Sequence, residues 1–343
     1  MQEPIYILGI ESSCDDTSAA VSCHQTMLSN VIATQDIHKK YGGVVPELAS
    51  RDHQKNIVPV VDEALKEAGI SLTQINAVAF TRGPGLMGSL LVGASFAKSL
   101  SLALNVPLIE VNHMQAHILA HFIVSPEGGL EGAFPSFPFL CLTVSGGHTQ
   151  LVKVTDYLSF ELLGETQDDA VGEAFDKAAK ILGLPYPGGP LIDKYAKQGD
   201  ATKYKFPISN MPALNYSFSG IKTAFLYFIQ EQTKQNKNFI EENLADICAS
   251  YQSSLADSLF KKLLLAAQQQ NIKTLALAGG VSANSLLRQR LLELQEKEGY
   301  QVFIPPFEYC TDNAAMIAIT GYFKYLKNDF CNLNVTPNAS YAL

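Results

Sequence analysis

Hydrophobic positions along the chain follow two patterns: short apolar runs, and longer segments with apolar residues at helical spacing. The alternation of the two favours an α/β fold. The short runs predict strands over Ile5–Ile10, Ser18–Cys23, Met27–Thr34, Ala77–Thr81, Val106–Val111, Phe139–Val144, Thr149–Val154, Leu158–Gly164, Leu275–Ala278 and Val302–Ile304. The longer segments predict helices over Pro46–Gly69, Leu90–Leu104, His113–Ile123, Asp169–Leu182, Leu191–Lys197, Ile221–Glu231, Leu244–Gln269, Ala283–Lys297 and Asn313–Lys327.

One pattern occurs twice in the chain. Ile5–Cys23 and Phe139–Val154 each read as an apolar strand, a polar turn that contains serine, and a second apolar strand. This indicates an internal duplication into two lobes that each open on a β-hairpin, although strand–turn–strand is common enough to leave two unrelated hairpins equally open. Between them, Ser125–Pro138 carries Gly and Pro and reads as a surface loop or a lobe boundary.

Composition excludes several classes of protein. With 343 residues, 47% hydrophobic and 17% charged, the chain can build a large core and is not intrinsically disordered. The formal net charge of -8 argues against a stand-alone nucleic-acid binder, because phosphate backbones are bound by Lys and Arg. A local basic patch or a basic partner stays open.

Cysteine spacing and the apolar segments predict a cytoplasmic protein without a membrane span. The six cysteines form no C-x-x-C pair and are too sparse for a disulfide scaffold, which fits a reducing compartment. The N-terminus lacks the features of a signal peptide. The most apolar stretch, Gly85–Val111, contains Lys98, Asn105 and Pro107, so we expect a buried helix followed by a strand.

The most specific candidate for chemistry is a pair of histidines. His113 and His117 stand four residues apart, which puts both rings on one face of a helix that Asn112 can cap. By itself, this spacing more often belongs to histidines that are hydrogen-bonded or exposed than to metal ligands. Asp312 opens another helix and is a possible third ligand, and two His with one carboxylate suit Zn²⁺ or Fe²⁺. A zinc protease would need Glu where Met114 stands, which disfavours that mechanism.

Glycine-rich turns supply candidate anion sites. In SGGHT, from Ser145 to Thr149, two glycines allow positive φ and a close approach of backbone amides to a phosphate, although Gly-Gly also suits a plain hairpin turn. The matching turn Glu11–Thr17 carries Asp15 and Asp16, which are either functional carboxylates or solvated turn residues.

Other candidates for nucleotide binding are individually ordinary. Gly279–Asn284 joins a strand to a helix without the lysine of a P-loop. Asp193, after Gly188–Gly189, and Asp176, in the exposed first half of a helix, can each hold a ribose hydroxyl. The densest basic stretch is a candidate for contact with phosphates, although a solvated helix end is the more common meaning of such a stretch; it comprises Lys194, Lys197, Lys203 and Lys205 with Tyr195 and Tyr204 between them.

Taken together, the motifs resemble the tRNA N6-adenosine threonylcarbamoyltransferase family, called TsaD in bacteria and formerly described as O-sialoglycoprotein endopeptidases. The resemblance runs in order from Ile10 to Met316. The motifs are IESSCDDT, GGVVPELASR, GPGLMGSL, VNHMQAHILA, VSGGHTQL, GEAFDKAAK, YPGGP, SFSGIKTA, AGGVSAN and CTDNAAM.

The resemblance implies a two-lobed actin/Hsp70/sugar-kinase-type (ASKHA) α/β fold around a nucleotide cleft. We expect a first lobe of residues 1–131 plus 311–343 and a second of residues 132–310. It implies transfer of threonylcarbamoyl from threonylcarbamoyl-adenylate to N6 of adenosine 37, in tRNAs that read codons beginning with A, with release of AMP. It further implies partners similar to TsaB and TsaE and a separate enzyme that makes the adenylate.

The resemblance also assigns residues. His113, His117 and Asp312 would hold one Fe²⁺ per subunit, with Zn²⁺ as the alternative, and the metal would act as template and Lewis acid. The adenylate would be held by Thr143, Val144, Ser145, Gly146, Gly147, Asp176, Gly189, Asp193 and Asn284.

The reaction needs orientation more than activation of a leaving group, since AMP leaves a mixed anhydride readily and N6 is a poor nucleophile. No protein nucleophile is required, and His148 is the only candidate general base. The lysines from Lys194 to Lys205 are the candidate tRNA contact. Two other functions fit the fold: a small-molecule kinase, and a non-catalytic nucleotide-binding regulator. Neither needs a two-His metal site.

Overall fold

The structure of the chain, a computed structural model, describes residues 3–125, 134–208 and 210–343. Within these residues the chain forms ten strands and nine α-helices. The strands are β1 Tyr6–Glu11, β2 Asp16–Cys23, β3 Thr26–Thr34, β4 Ala77–Gly83, β5 Leu108–Asn112, β6 Phe139–Val144, β7 Thr149–Asp156, β8 Ser159–Glu165, β9 Thr274–Ala278 and β10 Gln301–Phe303. The helices are α1 Pro46–Ala68, α2 Met87–Leu104, α3 His113–Leu119, α4 Val171–Ile181, α5 Gly189–Ala196, α6 Ser219–Gln235, α7 Phe239–Gln270, α8 Ser285–Glu298 and α9 Ala314–Leu326.

The predicted elements are all present, and their ends differ by a few residues. The strand expected over Ala77–Thr81 runs on to Gly83, and the helix expected from Leu90 already begins at Met87. The helix expected over His113–Ile123 ends at Leu119 and is continued by a 3₁₀ turn, Ala120–Phe122. Propensity defines the ends of helices poorly, since caps and tertiary contacts decide them.

The chain divides into two compact units. The first is formed by Met1–Phe134, Tyr157–Ser159 and Pro305–Leu343, and the second by Pro135–Asp156 and Phe160–Ile304. The lobe boundary expected between residues 131 and 132 lies outside the described residues.

Each unit contains one mixed five-stranded sheet, and both sheets follow the same plan. In the first the order is β3-β2-β1-β4-β5, and in the second it is β8-β7-β6-β9-β10. The central strands β1 and β6 are antiparallel to the next strand of their hairpins, and parallel to β4 and β9. The α/β class and the duplicated sheet plan expected from the two hairpins are thereby confirmed.

In the first unit both faces of the sheet are covered by helices. Because side chains alternate along a strand, Leu8 and Ile10 of β1 pack with α1 and α2 in one core. The opposite face of the same strand presents Gly9 to α9: a Cβ on Gly9 would lie 2.5 Å from the Ala314 carbonyl oxygen. Small residues at this crossing let α9 lie directly on the sheet, and so position the residues that precede it.

Helix α2 belongs to this core. It is the one helix among the described residues that is long and apolar enough to cross a membrane by length and composition. Its Leu90, Ala94 and Ala97 are buried, and the last two pack with Leu8 and Phe80 of the sheet. The helix and the following strand β5 are those expected from Gly85–Val111.

The core of the second unit is built around α7. Leu140, Leu142 and Val144 point from one face of β6 into a single apolar cluster, to which helices α4 to α8 contribute. The same burial anchors both ends of the turn that follows β6, since Val144 and Thr149 are fully buried.

Gly9→Ala tests the close approach of α9 to β1. The added methyl group has no space against the backbone of α9, so we expect the free energy of unfolding to fall by about 1–3 kcal/mol. Urea unfolding followed by circular dichroism measures it. Gly220→Ala is the matched control, because nothing lies within 4 Å of the added atom and the position is helical; the control should unfold at an equal or higher urea concentration. Equal midpoints for wild type and Gly9→Ala would contradict the packing argument.

Candidate functional site

Two histidines and an aspartate come together in the first unit. Asn112 ends β5 and caps α3, because its side-chain oxygen accepts hydrogen bonds from the amides of Met114 and Gln115. His113 and His117 therefore begin successive turns of α3, with their ring centroids 4.7 Å apart. The Asp312 Oδ1 atom lies 3.3 Å from His113 Nε2 and 3.2 Å from His117 Nε2.

These three side chains fit a metal ion. One atom from each, all within 4.8 Å of one another, is available as a ligand. Both ring nitrogens of His117 are buried without a hydrogen-bond partner, although Asp312 lies near Nε2. A buried imidazole without a hydrogen-bond partner is unfavourable. A cation between the three groups would accept the lone pair of a His117 ring nitrogen. Two imidazoles and one carboxylate are a donor set suited to Fe²⁺ or Zn²⁺.

Glu11, at the end of β1, is the partner of His113 that the sequence analysis missed. Its Oε2 atom lies 3.0 Å from His113 Nδ1 and accepts a hydrogen bond of 2.6 Å from the Thr81 hydroxyl. The carboxylate is fully buried. It favours the tautomer with a proton on Nδ1, which leaves the lone pair of Nε2 toward Asp312 and a metal. No signal in the sequence identified it, because it depends on which strands adjoin: β1, β4 and β5 are parallel, so the groups at their carboxyl ends meet.

The charges of the cluster are strongly coupled. Burial alone disfavours a charged His113, but the Asp312 and Glu11 carboxylates outweigh it and raise the pKa of His113 well above its ordinary value. Burial likewise opposes the charge on Asp312, and His113 and His117 overcome it, so the pKa of Asp312 lies far below its ordinary value. Burial lowers the pKa of His117. Without a metal, two carboxylates against one imidazolium leave a net negative cluster that attracts a cation, and a bound cation would replace the proton on His113 Nε2.

The turn of residues 11–17 is held rigidly beside this cluster. The buried His53 of α1 contacts both sides of it, with Nδ1 at 2.7 Å from the Thr17 hydroxyl and Nε2 at 3.0 Å from the Cys14 carbonyl. The Ser89 hydroxyl donates to the same carbonyl. His53, and the GPGLMGSL motif that contains Ser89, are therefore connected to the histidine–aspartate cluster indirectly, through this turn.

Asp16 is not a solvated turn residue. It is half-buried at the start of β2, and its Oδ1 atom has no hydrogen-bond partner. Burial, together with the nearby Asp312, Asp15 and Glu11 carboxylates, raises the pKa of Asp16 to about 7, while a hydrogen bond with Thr34 opposes the shift.

In the second unit the SGGHT turn joins β6 to β7. Ser145 and His148 close it, with hydrogen bonds from the Ser145 amide to the His148 carbonyl and from the His148 amide to the Ser145 hydroxyl. Gly146 and Gly147 are exposed, and nothing lies within 4 Å of where a Cβ would be. Neither adopts the positive φ that the sequence suggested. These two glycines therefore leave the backbone of the turn accessible, and they are not needed for a left-handed conformation.

Two other glycines hold this turn in place. A Cβ on Gly172, in the first turn of α4, would lie 2.6 Å from the Ser145 carbonyl oxygen, and one on Gly279 would lie 2.5 Å from that of Val144. Gly279 has φ +84°, a conformation that favours glycine. The turn after β9 and the N-terminus of α4 thus pack directly on the backbone of Val144 and Ser145. Thr143 precedes them and is fully buried.

The predicted ribose-binding residues are joined by hydrogen bonds within the unit. Asp176 Oδ1 accepts from the amides of Gly188 and Gly189. Asp193 Oδ1 accepts from the amide and the hydroxyl of Ser285, at 3.2 and 2.7 Å. Asp176 is half-buried rather than exposed as expected, and this burial raises its pKa against the effect of the two amides.

Asn284 caps α8, with its Oδ1 accepting from the amides of Leu286 and Leu287, and its Nδ2 donates to Gln252. Asn284 directly precedes Ser285, so the three side chains follow one chain of contacts: Asp176 of α4 binds the N-terminus of α5, and Asp193 of α5 binds the N-terminus of α8. The structure thus places all the candidates for the adenylate in the second unit.

The four candidate lysines are not equivalent. Lys203 lies 2.7 Å from the Asp246 carboxylate and donates to Asn243, so it braces α7. Lys197 lies 3.5 Å from Asp193. All four side chains are exposed, but Lys194 and Lys205 take part in neither ion pair and therefore remain the better candidates for contact with phosphates.

Comparisons with known proteins identify relatives over the whole chain. The family model of tRNA N6-adenosine threonylcarbamoyltransferase, TsaD, matches residues 26–319. An enzyme of that description from Christiangramia forsetii is 62% identical over 99% of this chain and 98% of its own length. One from Cytophaga hutchinsonii is 59% identical over 97% and 95%, and one from Porphyromonas gingivalis 57% identical over 98% of each.

Solved structures share the fold at low identity. Full-length HypF in a phosphate- and nucleotide-bound form aligns with a TM-score of 0.60 at 15% identity, over 93% of this chain and 46% of HypF. Component A of (R)-2-hydroxyglutaryl-CoA dehydratase from Acidaminococcus fermentans gives 0.53 at 14% identity, over 94% and 99%. These likenesses concern the fold alone, and they confirm the expected ASKHA type.

Glu11→Gln tests the orientation of His113. The amide keeps the size of the side chain but removes the charge that holds the ring, so we expect Zn²⁺ or Fe²⁺ to bind about 10–100-fold more weakly. Competition against a chromophoric chelator measures the affinity. Glu63→Gln, at an exposed position of α1, is the control and should bind as wild type does. Unchanged affinity in Glu11→Gln would show that Glu11 has no part in metal binding.

Proposed function

Because the chain belongs to the tRNA N6-adenosine threonylcarbamoyltransferase family, we propose that it transfers a threonylcarbamoyl group from threonylcarbamoyl-adenylate to N6 of adenosine 37, with release of AMP. Its substrates are tRNAs that read codons beginning with A. The chain is thus a transferase that modifies tRNA, and a non-catalytic nucleotide-binding regulator is excluded. The observation that carries the finer proposal is the His113–His117–Asp312 cluster, which a small-molecule kinase on this fold does not need.

His113, His117 and Asp312 hold one metal ion in this proposal, taken as Fe²⁺ with Zn²⁺ as the alternative. When bound, the metal supplies a template and a Lewis acid for oxygen atoms of the substrate. Glu11 keeps His113 in the tautomer that leaves Nε2 available, and the turn of residues 11–17 keeps Glu11 in place. The net negative charge of the cluster favours binding of a cation even without substrate.

The second unit holds the adenylate. The exposed backbone of Gly146 and Gly147, between Ser145 and His148, suits the phosphate, because amides on an open turn can reach an anion closely. Asp176, Gly189, Asp193 and Asn284 hold the nucleoside. The hydrogen bonds that Asp176 accepts from two amides, and that Asp193 accepts from Ser285, support this role, since groups that are already ordered lose little entropy when a ligand binds.

The chemical step is then mostly a matter of orientation. AMP leaves the carbamic–phosphoric anhydride readily, whereas the lone pair of N6 is delocalised into the purine. Fixing N6 against the carbonyl carbon and stabilising the developing oxyanion supply most of the acceleration. No protein nucleophile takes part, and His148 remains the candidate for the proton of N6.

Substrate delivery involves partners. A chain with a net charge of -8 has little electrostatic attraction for tRNA. We therefore propose that TsaB-like and TsaE-like proteins assist it, that a separate enzyme provides the adenylate, and that Lys194 and Lys205 touch the tRNA backbone. The site of action is the cytoplasm, where the tRNA is.

Reconstitution tests the reaction. Purified chain, synthetic threonylcarbamoyl-adenylate and an unmodified tRNA that reads an A-starting codon are incubated with TsaB-like and TsaE-like partners. Mass spectrometry of the digested tRNA should show threonylcarbamoyladenosine, and His113→Ala should reduce it at least about 100-fold, as loss of a metal ligand predicts. His24→Asn is the matched control, because His24 lies at the opposite end of the β1–β2 hairpin and its left-handed φ suits Asn.

A tRNA that reads a codon with another first base serves as the substrate control and should stay unmodified. If no product forms with partners and metal restored, the proposed reaction is wrong. If His113→Ala modifies tRNA at the wild-type rate, the metal has no part in the reaction.

The tRNA contact has its own test. We expect Lys194→Ala/Lys205→Ala to bind tRNA more weakly and to lower the slope of log affinity against log salt by about 1–2, as loss of two phosphate contacts predicts. Filter binding at several salt concentrations measures both. Lys234→Ala/Lys237→Ala removes two exposed lysines from the same unit and is the control. If both double variants lose the same affinity for tRNA, the loss reflects the change in net charge, and Lys194 and Lys205 are not specific contacts.

A further inference from the structure

A segment near the C-terminus crosses the ends of two strands that lead to the metal cluster. We name this segment, residues 336–342, the strap. Its Asn338 amide donates to the Arg82 carbonyl at 2.9 Å, and its Ala339 carbonyl accepts from the Gly85 amide at 3.2 Å. Gly83 lies so close beneath the strap that a Cβ there would collide with the Asn338 carbonyl. Backbone bonds and close packing thus tie the strap to the end of β4.

Side chains fasten the same segment to β5. Arg82 Nη1 lies 3.0 Å from both carboxylate oxygens of Glu110, and Arg82 Nε donates to the Thr336 carbonyl. The guanidinium also stacks on Tyr341, 4.6 Å from the centre of its ring. The Tyr341 hydroxyl donates to Glu110 at 3.3 Å. Arg82, Glu110 and Tyr341 are all partly buried, so their charges are screened less than those of a fully exposed pair.

The strap ends on the residue that caps the metal-binding helix. Asn112 Nδ2 donates to the carbonyls of Tyr341 and Ala342, at 3.3 and 2.8 Å. Its Oδ1 accepts from the amides of Met114 and Gln115, at 2.9 and 3.2 Å. Asn112 is 4% exposed, and His113 is the next residue along the chain. One side chain therefore joins the strap to the first turn of α3.

Helix α3 depends on such support. It has seven residues, which is too short for a helix to be stable through its own hydrogen bonds. The direction of its first turn sets the direction of the His113 ring, and ligand geometry must be held within a fraction of an ångström for a metal to bind well. A cap that is itself fixed by four hydrogen bonds restricts this turn more than a cap exposed to water.

We propose that the strap is a positioning element of the metal centre: through Asn112 it holds the first turn of α3, and with it the His113 ligand. The inference rests on the proposed metal site. It makes Arg82, Asn112 and Tyr341 positioning residues, although none of them touches the metal cluster. It also explains why a side chain with both an acceptor and a donor stands at the cap, where Asp or Ser would cap α3 equally well.

Two variants release the strap in different ways. Asn112→Asp keeps the oxygen that caps α3. It replaces the amide NH₂ group, which donates to the two strap carbonyls, with a carboxylate oxygen that repels them. Tyr341→Ala removes the ring from under Arg82 and leaves α3 untouched. Tyr341→Phe keeps the ring and is the conservative counterpart, and Ser340→Ala changes an exposed strap residue.

The measurements use the full chain, with Zn²⁺ and Co²⁺ as probes. We expect Asn112→Asp and Tyr341→Ala to bind Zn²⁺ about tenfold more weakly and to change the visible spectrum of bound Co²⁺, which reports ligand geometry. Hydrogen exchange at the Met114 and Gln115 amides should become faster in both. Tyr341→Phe and Ser340→Ala should match wild type. The Asp substitution adds a negative charge near a cation site, so a loss of affinity cannot come from charge.

Three outcomes are distinguishable. If wild type itself binds no Zn²⁺ or Co²⁺, the proposed metal site is wrong, and the inference with it. If wild type binds and both release variants bind equally well with an unaltered Co²⁺ spectrum, the strap has no positioning role, even where their melting temperatures fall. Weaker binding in Asn112→Asp and Tyr341→Ala, restored in Tyr341→Phe, supports the proposal.

Discussion

The buried carboxylate of Glu11 is the group on which the first unit depends. A charge removed from water is unfavourable unless it is paired and hydrogen-bonded, and Glu11 is satisfied by three neighbours from different parts of the chain. The Thr81 hydroxyl comes from β4, the Ser13 amide from the adjoining turn, and His113 from the helix after β5. These groups meet because the three strands run parallel in one sheet. The fold and the site thus share one interaction.

The third candidate ligand comes from the far end of the sequence, by a different mechanism. Asp312 directly precedes Asn313, the cap of α9, and α9 lies on the sheet at the small residues Gly9 and Gly321. The Ala314 amide also donates to the Ser18 hydroxyl of β2. The approach of backbone to backbone, which no larger residue would allow, brings Asp312 to the two histidines. Packing of a helix, rather than local sequence, therefore completes the donor set.

In the second unit, the candidate ligand-binding side chains also order the backbone around them. Asp176, Asp193 and Asn284 each accept hydrogen bonds from backbone amides at the N-terminus of a helix, as well as being candidates to bind a ligand. Such side chains arrange the turns around Gly189 and Ser285 before a nucleotide is present. The turn after β6 follows the same principle, with Gly172 and Gly279 allowing neighbouring backbone to pack on it. Preorganised groups suit a reaction that consists mainly of orientation.

The sequence by itself determined the local features. Periodicity placed the strands and helices to within a few residues, since side-chain spacing follows from the geometry of the backbone. The histidine pair was visible because two ligands on one helix need no tertiary information, and the ordered motifs indicated the family. Only the tertiary structure decided what is distant in sequence: that Asp312 meets His113, that Glu11 rather than Asp15 supports it, that Lys203 is occupied by Asp246, and that the strap reaches Asn112. These contacts depend on which strands adjoin and which helices pack closely, and one sequence read along its length does not contain that pairing.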